Sequence, residues 1–156
     1  MEYLVDIEEK DKLNPAGRLD ADSKGLLLLT DDGMLNHRVS HPKWGIEKEY
    51  IVKIKEGKLL SDEEMDIIRS GMKLYSGEVI KKVDIERIDD LTYKLILTEG
   101  KIHIIKRIFK TFNIWIDSLI RVRIGNIKLG TLKEGRYRFL TEKEIKDLKK
   151  LVKLES

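Results

Sequence analysis

Gly17-Arg18-Leu19-Asp20-Ala21-Asp22-Ser23-Lys24-Gly25-Leu26-Leu27-Leu28-Leu29-Thr30-Asp31-Asp32-Gly33 is the densest stretch of this chain. Its first half is polar, and its second half runs four leucines together before an acidic turn. A short apolar run bounded by turn residues reads as a buried strand. Leu26 to Leu29 should therefore anchor in a core and hold Arg18, Asp20 and Ser23 on a rigid loop at its edge, where a reacting group gains from a fixed position. The same residues admit a plainer use, in which Asp20 caps a turn and Arg18 pairs with it on the surface. Asp31-Asp32-Gly33 suits a helix start before Met34 and Leu35. As a calcium loop it lacks the later ligands and the terminal glutamate.

Outward from that stretch the periodicity alternates between strand and helix. Tyr50, Val52 and Ile54 alternate with Ile51, Lys53 and Lys55, the pattern of a half-exposed strand. Val79 to Ile88 and Thr92 to Thr98 read as two further strands, joined by a turn at Asp89-Asp90-Leu91. Ser61-Asp62-Glu63-Glu64 and Thr141-Glu142-Lys143-Glu144 are capping boxes that open two amphipathic helices. Ile102 to Phe112 sets apolar residues at 104, 105, 108, 109 and 112 against bases at 106, 107 and 110, a helix with a basic face. Trp115 to Ile124 completes the pattern as a strand. Strands broken by isolated helices, with a hairpin among them, indicate an α+β fold: a mixed, mostly antiparallel sheet with flanking helices.

With 156 residues and no Pro/Gly/Ser linker or repeat, the chain reads as one domain, residues 1–156. There is no cysteine, which excludes disulfides, thiolate metal sites and thiol nucleophiles. No apolar run is long enough to span a bilayer, and the first residues do not form a secretory leader, so the cytoplasm is the expected compartment. His37 and His41 stand four apart, but a third ligand is not evident and Pro42 follows at once, so no metal site is expected. Trp44 and Trp115 are expected to pack in the core or at its rim. The net charge of +3 hides an asymmetry: residues 1–32 carry −5, and residues 99–138 hold ten Lys/Arg against three acids. Such a basic segment favours a polyanion, nucleic acid above all.

The stretch containing Gly17-Arg18-Leu19-Asp20 resembles the catalytic motif of the RNA pseudouridine synthases, in the branch that modifies single uridines of ribosomal RNA. The resemblance extends to Lys48-Glu49-Tyr50-Ile51-Val52, to Glu99-Gly100-Lys101-Ile102-His103-Ile104-Ile105-Lys106-Arg107-Ile108-Phe109, to Leu119-Ile120-Arg121-Val122-Arg123-Ile124-Gly125 and to Leu140-Thr141-Glu142-Lys143-Glu144-Ile145. It implies a pseudouridine-synthase-like catalytic domain in which Asp20 is the essential acid, Tyr50 packs against the target base, Lys106 is the counter-charge and Leu119 lies near the tyrosine. Arg18, Lys101, His103, Arg107, Arg121 and Arg123 are then expected to contact RNA. Ile104 departs from the family pattern, which has glutamine there. The chain also begins after the small RNA-binding S4-type domain and the strand that usually come first. It is expected to be an excised catalytic fragment, a chain with a misplaced start or a natural short form.

The implied reaction breaks the bond from ribose C1′ to uracil N1, turns the base over and joins C1′ to C5. A carboxylate can serve as nucleophile or base in that sequence, with no cofactor or metal expected. A pocket that excludes water raises a carboxyl pKa, so Asp20 needs a cation nearby to stay ionised, the role given to Lys106. A stacked uridine must also be extruded and laid on a flat surface, which Tyr50 offers; a half-buried strand tyrosine is the alternative use. The expected partner is ribosomal RNA, with no membrane and no obligate protein partner. The rival readings are a catalytically incompetent RNA-binding module or fragment of such an enzyme, and an unrelated basic binding domain.

Overall fold

The structure, a computed structural model, describes residues 13–16, 19, 23–98 and 102–154. Among these residues, ten strands and four α-helices follow the order β1 (Asn14–Ala16), β2 (Lys24–Gly25), β3 (Leu28–Thr30), α1 (Gly33–Ser40), β4 (Lys48–Ile54), α2 (Asp62–Ser70), β5 (Met72–Lys73), β6 (Val79–Ile80), β7 (Asp84–Asp89), β8 (Thr92–Leu97), α3 (Ile102–Thr111), β9 (Ile116–Ile124), β10 (Ile127–Lys128) and α4 (Glu142–Leu151), with a 3-10 turn at Pro42–Trp44. The main sheet runs β10-β9-β4-β8-β7, every neighbour antiparallel, and β2 joins β9 in parallel. The α+β architecture with a mostly antiparallel sheet is the one the sequence pattern indicates.

The local signals act as their chemistry demands. The Asp32 carboxylate accepts from the backbone N–H of Met34 and Leu35 and starts α1. Ser61 and Glu64 cap α2 reciprocally, as Thr141 and Glu144 cap α4. Replacing Ser61 by Ala should lower stability by ~1 kcal/mol, the typical worth of an N-cap, measurable as a shift of the urea midpoint with an unchanged slope. Leu91 N–H donates to the Asp89 carboxylate at 3.0 Å and closes the expected hairpin.

Two expected strands are each divided. The run from Val79 to Ile88 splits because Val79 and Ile80 pair with Lys73 and Met72 in a separate ribbon, while Asp84 to Asp89 pairs with β8. The leucine run does not pair along its length either. Leu26 continues from β2 and bonds Arg121 of β9, whereas Leu28 and Leu29 pair with β1. Continuous alternation specifies which face a residue takes, not which strand it meets.

Lys48, Tyr50, Val52 and Ile54 lie on the buried face of β4, with Glu49, Ile51 and Lys53 on the other. Tyr50, Val52, Ile54, Tyr93, Leu95 and Leu119 from the sheet share an apolar cluster with Met65 and Ile68 of α2 and Ile104, Ile105, Ile108 and Phe109 of α3. A second cluster joins Ala16, Leu28, Val39, Ile124, Ile127, Leu148 and Val152. Among the described residues no helix is long and apolar enough to cross a membrane.

Candidate active site

Three segments far apart in sequence meet on adjacent strands. Tyr50 on β4 pairs with Arg121 on β9, and Arg121 pairs across its other edge with Gly25 on β2. Leu26 N–H donates to the Arg121 carbonyl at 2.7 Å, and Arg121 Nε donates back to the Leu26 carbonyl at 2.9 Å. This places Gly25 and Leu26, which follow Asp20 in sequence, beside β9, whose other edge meets the strand that carries Tyr50. Gly25 makes the approach possible: its φ is +118°, and a Cβ there would stand 2.2 Å from the Arg121 carbonyl oxygen.

Asp20 itself lies outside the described residues, as do Arg18 and Lys101. The residues on either side of positions 20–22 are buried: Leu19 within the cluster that holds Tyr50 and Leu119, and Ser23 at 8% exposure. Tyr50 is fully buried and Leu119 nearly so. Lys106 is half-buried on α3, one turn along from His103. Ile104 sits in the apolar cluster, so at this position isoleucine fills a core site that asks for no hydrogen bond.

The basic residues expected on RNA divide. Arg107 is ion-paired with Glu78. Arg123 is held by Glu49 at 3.2 Å and Glu47 at 3.4 Å and also donates to the Gly125 carbonyl. Arg121 is only 1% exposed. A guanidinium so enclosed is removed from surface phosphates, because the alternation of β9 turns it inward with Leu119. The charge count could not separate it from its neighbours.

Arg121 and Lys48 form a feature that the sequence reading did not assign: two buried cations. Burial pulls the Arg121 guanidinium below its ordinary value, while the adjacent Tyr50 hydroxyl favours its charged form. Burial and then the Arg121 charge lower Lys48 to about 8, and its ammonium donates to the Val39 carbonyl at 3.3 Å. The Arg121 guanidinium is joined to the Tyr50 hydroxyl, and Ser23 Oγ is buried with no hydrogen-bond partner among the described residues. Two cations enclosed on one face give this interior a positive, polar character suited to an anion. The signal was available: Lys48 stands at i−2 from Tyr50, on the same face of the strand.

Lys48 makes the fold pH-sensitive in a defined direction. Its folded value of about 8 lies below the ordinary 10.5, so between those values the unfolded chain binds the extra proton and stability rises with pH. The cost of the buried charge is present in full below pH 8. Between pH 7 and 10 the wild-type chain should gain about 2–3 kcal/mol relative to Lys48→Met. Urea unfolding of both proteins across that range tests this, and parallel profiles would remove Lys48 as the source.

Among the described residues no group of three or more His, Asp or Glu side chains is placed to hold a metal ion. Trp44 is half-buried with the Arg38 guanidinium 4.2 Å from its ring centre. Trp115, expected in the core or at its rim, is instead 63% exposed.

The chain is similar to known proteins of one family. The family model described as RNA pseudouridylate synthase matches residues 1–111. An uncharacterized RNA pseudouridine synthase of Aquifex aeolicus (strain VF5) is 46% identical over 147 residues, covering 91% of this chain and 58% of that protein. The ribosomal small subunit pseudouridine synthase A of Escherichia coli (strain K12) is 37% identical over 145 residues, covering 92% of this chain and 62% of that protein. A solved structure described as a pseudouridylate synthase matches with a TM-score of 0.85 at 37% identity, covering 92% of this chain and 63% of that one. The chain therefore spans about three fifths of the length of these relatives.

Proposed function

The chain belongs to the RNA pseudouridylate synthase family, and from that premise we propose that it is an isomerase converting a specific uridine of ribosomal RNA to pseudouridine. One observation carries the reading. The strand of Leu119 and Arg121 has the strand after the Asp20 motif on one edge and the strand of Tyr50 on the other, an order that supports the reading.

In the proposed reaction the Asp20 carboxylate acts on the ribose, as nucleophile at C1′ or as base. The C1′–N1 bond breaks, the uracil turns over and C1′ bonds to C5. The C5 proton leaves to solvent, and N1 ends protonated. Atoms balance without redox change, and no cofactor or metal enters the scheme. Lys106 supplies the counter-charge that keeps the carboxylate ionised in a dry pocket. Tyr50 is the platform for the base, with Leu119 packed beside it. Because the Tyr50 ring is buried, base entry must open the packing around it, a cost that stacking of ~1–3 kcal/mol per base offsets. Arg18, Lys101 and His103 are assigned to RNA, and the positive interior formed by Lys48 and Arg121 favours an anionic reacting group.

The reading is tested by incubating the chain with small-subunit ribosomal RNA labelled with tritium at uridine C5. Release of tritium to water, with pseudouridine recovered at one position, is the expected result. RNA binding without release would instead make the chain a catalytically incompetent binding module.

A further inference from the structure

At the end of α3, two aromatic side chains stand in solvent with a lysine between them. Tyr75 is 56% exposed and Trp115 63%. The Lys110 ammonium lies 5.1 Å from the Tyr75 ring centre and 5.9 Å from that of Trp115. Large aromatic surface left in water mostly marks a binding site, and this one is mounted rigidly. Asn113 takes a left-handed conformation (φ +59°) that stops the helix, and Ile114 N–H donates to the Phe109 carbonyl. That turn brings Trp115 back beside Lys110. Lys55 N–H then holds the Trp115 carbonyl at 2.9 Å, and Tyr75 N–H donates to Thr111 Oγ1 at 3.2 Å.

The surroundings select the occupant. Exposed Lys73 stands two residues before Tyr75, and Lys55, also exposed, is bonded through its backbone to Trp115, so the patch is cationic as well as aromatic. Flat rings interleaved with lysines suit a ligand that alternates planar faces with negative charges, which is single-stranded nucleic acid. The patch shares a helix with the proposed counter-charge. Lys110 follows Lys106 by four residues on α3, on the same face and about 6 Å along the axis.

We propose that Tyr75, Lys110 and Trp115 form a second RNA contact, which stacks an unpaired base and holds its phosphate beside the target nucleotide. The partner's identity rests on the functional reading above; the stacking site rests on the geometry of these three side chains. A role of this kind helps grip the strand without touching the reacting atoms, so its loss should appear in affinity and KM and leave kcat unchanged.

The chain has two tryptophans, so Trp44→Phe leaves Trp115 as the sole reporter. Titrating that variant with a single-stranded oligouridylate should quench its fluorescence saturably, and the effect should weaken with salt. Tyr75→Ala or Trp115→Ala, in a fluorescence-anisotropy assay with labelled RNA, should weaken binding roughly 5- to 150-fold, the range for one stacked base. Lys110→Gln should reduce the salt slope of binding by about 1. RNA binding by anisotropy with unchanged Trp115 emission would overturn the proposal. So would Trp115 emission that changes with protein concentration alone, which would assign the patch to a second copy of the chain. The two readings fail separately. Tritium release with an unaltered KM in both alanine variants defeats the stacking site and leaves the enzyme. Saturable Trp115 quenching in a chain that releases no tritium defeats the enzyme and leaves the stacking site.

Discussion

Asp20→Asn should bind single-stranded RNA as tightly as the wild-type chain and release almost no tritium from uridine C5. Asparagine keeps the volume of the side chain and removes the charge, so it isolates the chemical role of the carboxylate from its shape. An amide is neither a competent base near neutral pH nor a nucleophile at C1′, and a fall of ~10⁴-fold or more is expected, at the upper end of what a single acid–base group contributes. Binding should persist because the cations that grip phosphate lie elsewhere in sequence. Substantial release by this variant would remove Asp20 from the reaction and return it to the plainer role of a turn cap. The pair of measurements matters: RNA affinity by anisotropy and turnover by tritium release, made on one preparation. A variant that lost both would report a damaged fold rather than a missing reactant.

Gly25→Ala should cost on the order of 3–5 kcal/mol and suppress turnover together with stability. The backbone at Gly25 has φ +118°, and a Cβ there would stand 2.2 Å from the Arg121 carbonyl oxygen and 2.5 Å from its amide nitrogen. Those are backbone atoms of a central strand and cannot swing aside. Backbone strain of ~1–3 kcal/mol adds to the loss of the two hydrogen bonds between Leu26 and Arg121, each worth ~0.5–1.5 kcal/mol. The activity effect follows from position, since a shift of about 1 Å in a reacting group can cost 10²-fold and Gly25 follows the proposed acid by five residues. Gly33→Ala is the control: nothing lies within 4 Å of its added Cβ, at the first position of α1, so its stability should change little. Thermal melts and tritium release at low temperature give both readouts. An unchanged melting temperature for Gly25→Ala would mean that β2 does not approach β9 so closely.

These two predictions differ in how much of their basis is legible in one dimension. The Asp20 assignment rests on a run of residue types and its likeness to a family motif, and the residue itself lies outside the described structure. Gly25 was one glycine among eleven. Its importance emerges only when β9 is seen against it, because steric exclusion depends on a partner nearly a hundred residues away.

The same division runs through the rest of the chain. The caps of α1, α2 and α4 and the Asp89 turn were readable because donor and acceptor lie within three residues of each other. The split of Val79 to Ile88 was not, since the change of partner strand leaves no mark on the alternation. Arg121 and Arg123 counted as equal positive charges in the composition. In the fold Arg121 is sealed inside, and Arg123 is neutralised by Glu47 and Glu49. Trp115 was assigned to packing by its apolar character, yet the turn at Asn113 delivers it to solvent beside Lys110.

Residue order alone thus settled the fold class, the starts of the capped helices and the family likeness, because these depend on short-range hydrogen bonding, on periodicity and on motifs read along the line. The convergence of β2, β4 and β9, the burial of Lys48 and Arg121 and the exposure of the Tyr75–Lys110–Trp115 cluster were set by packing between distant segments. Neither a charge nor a ring carries in its neighbours the information about which surface it will meet.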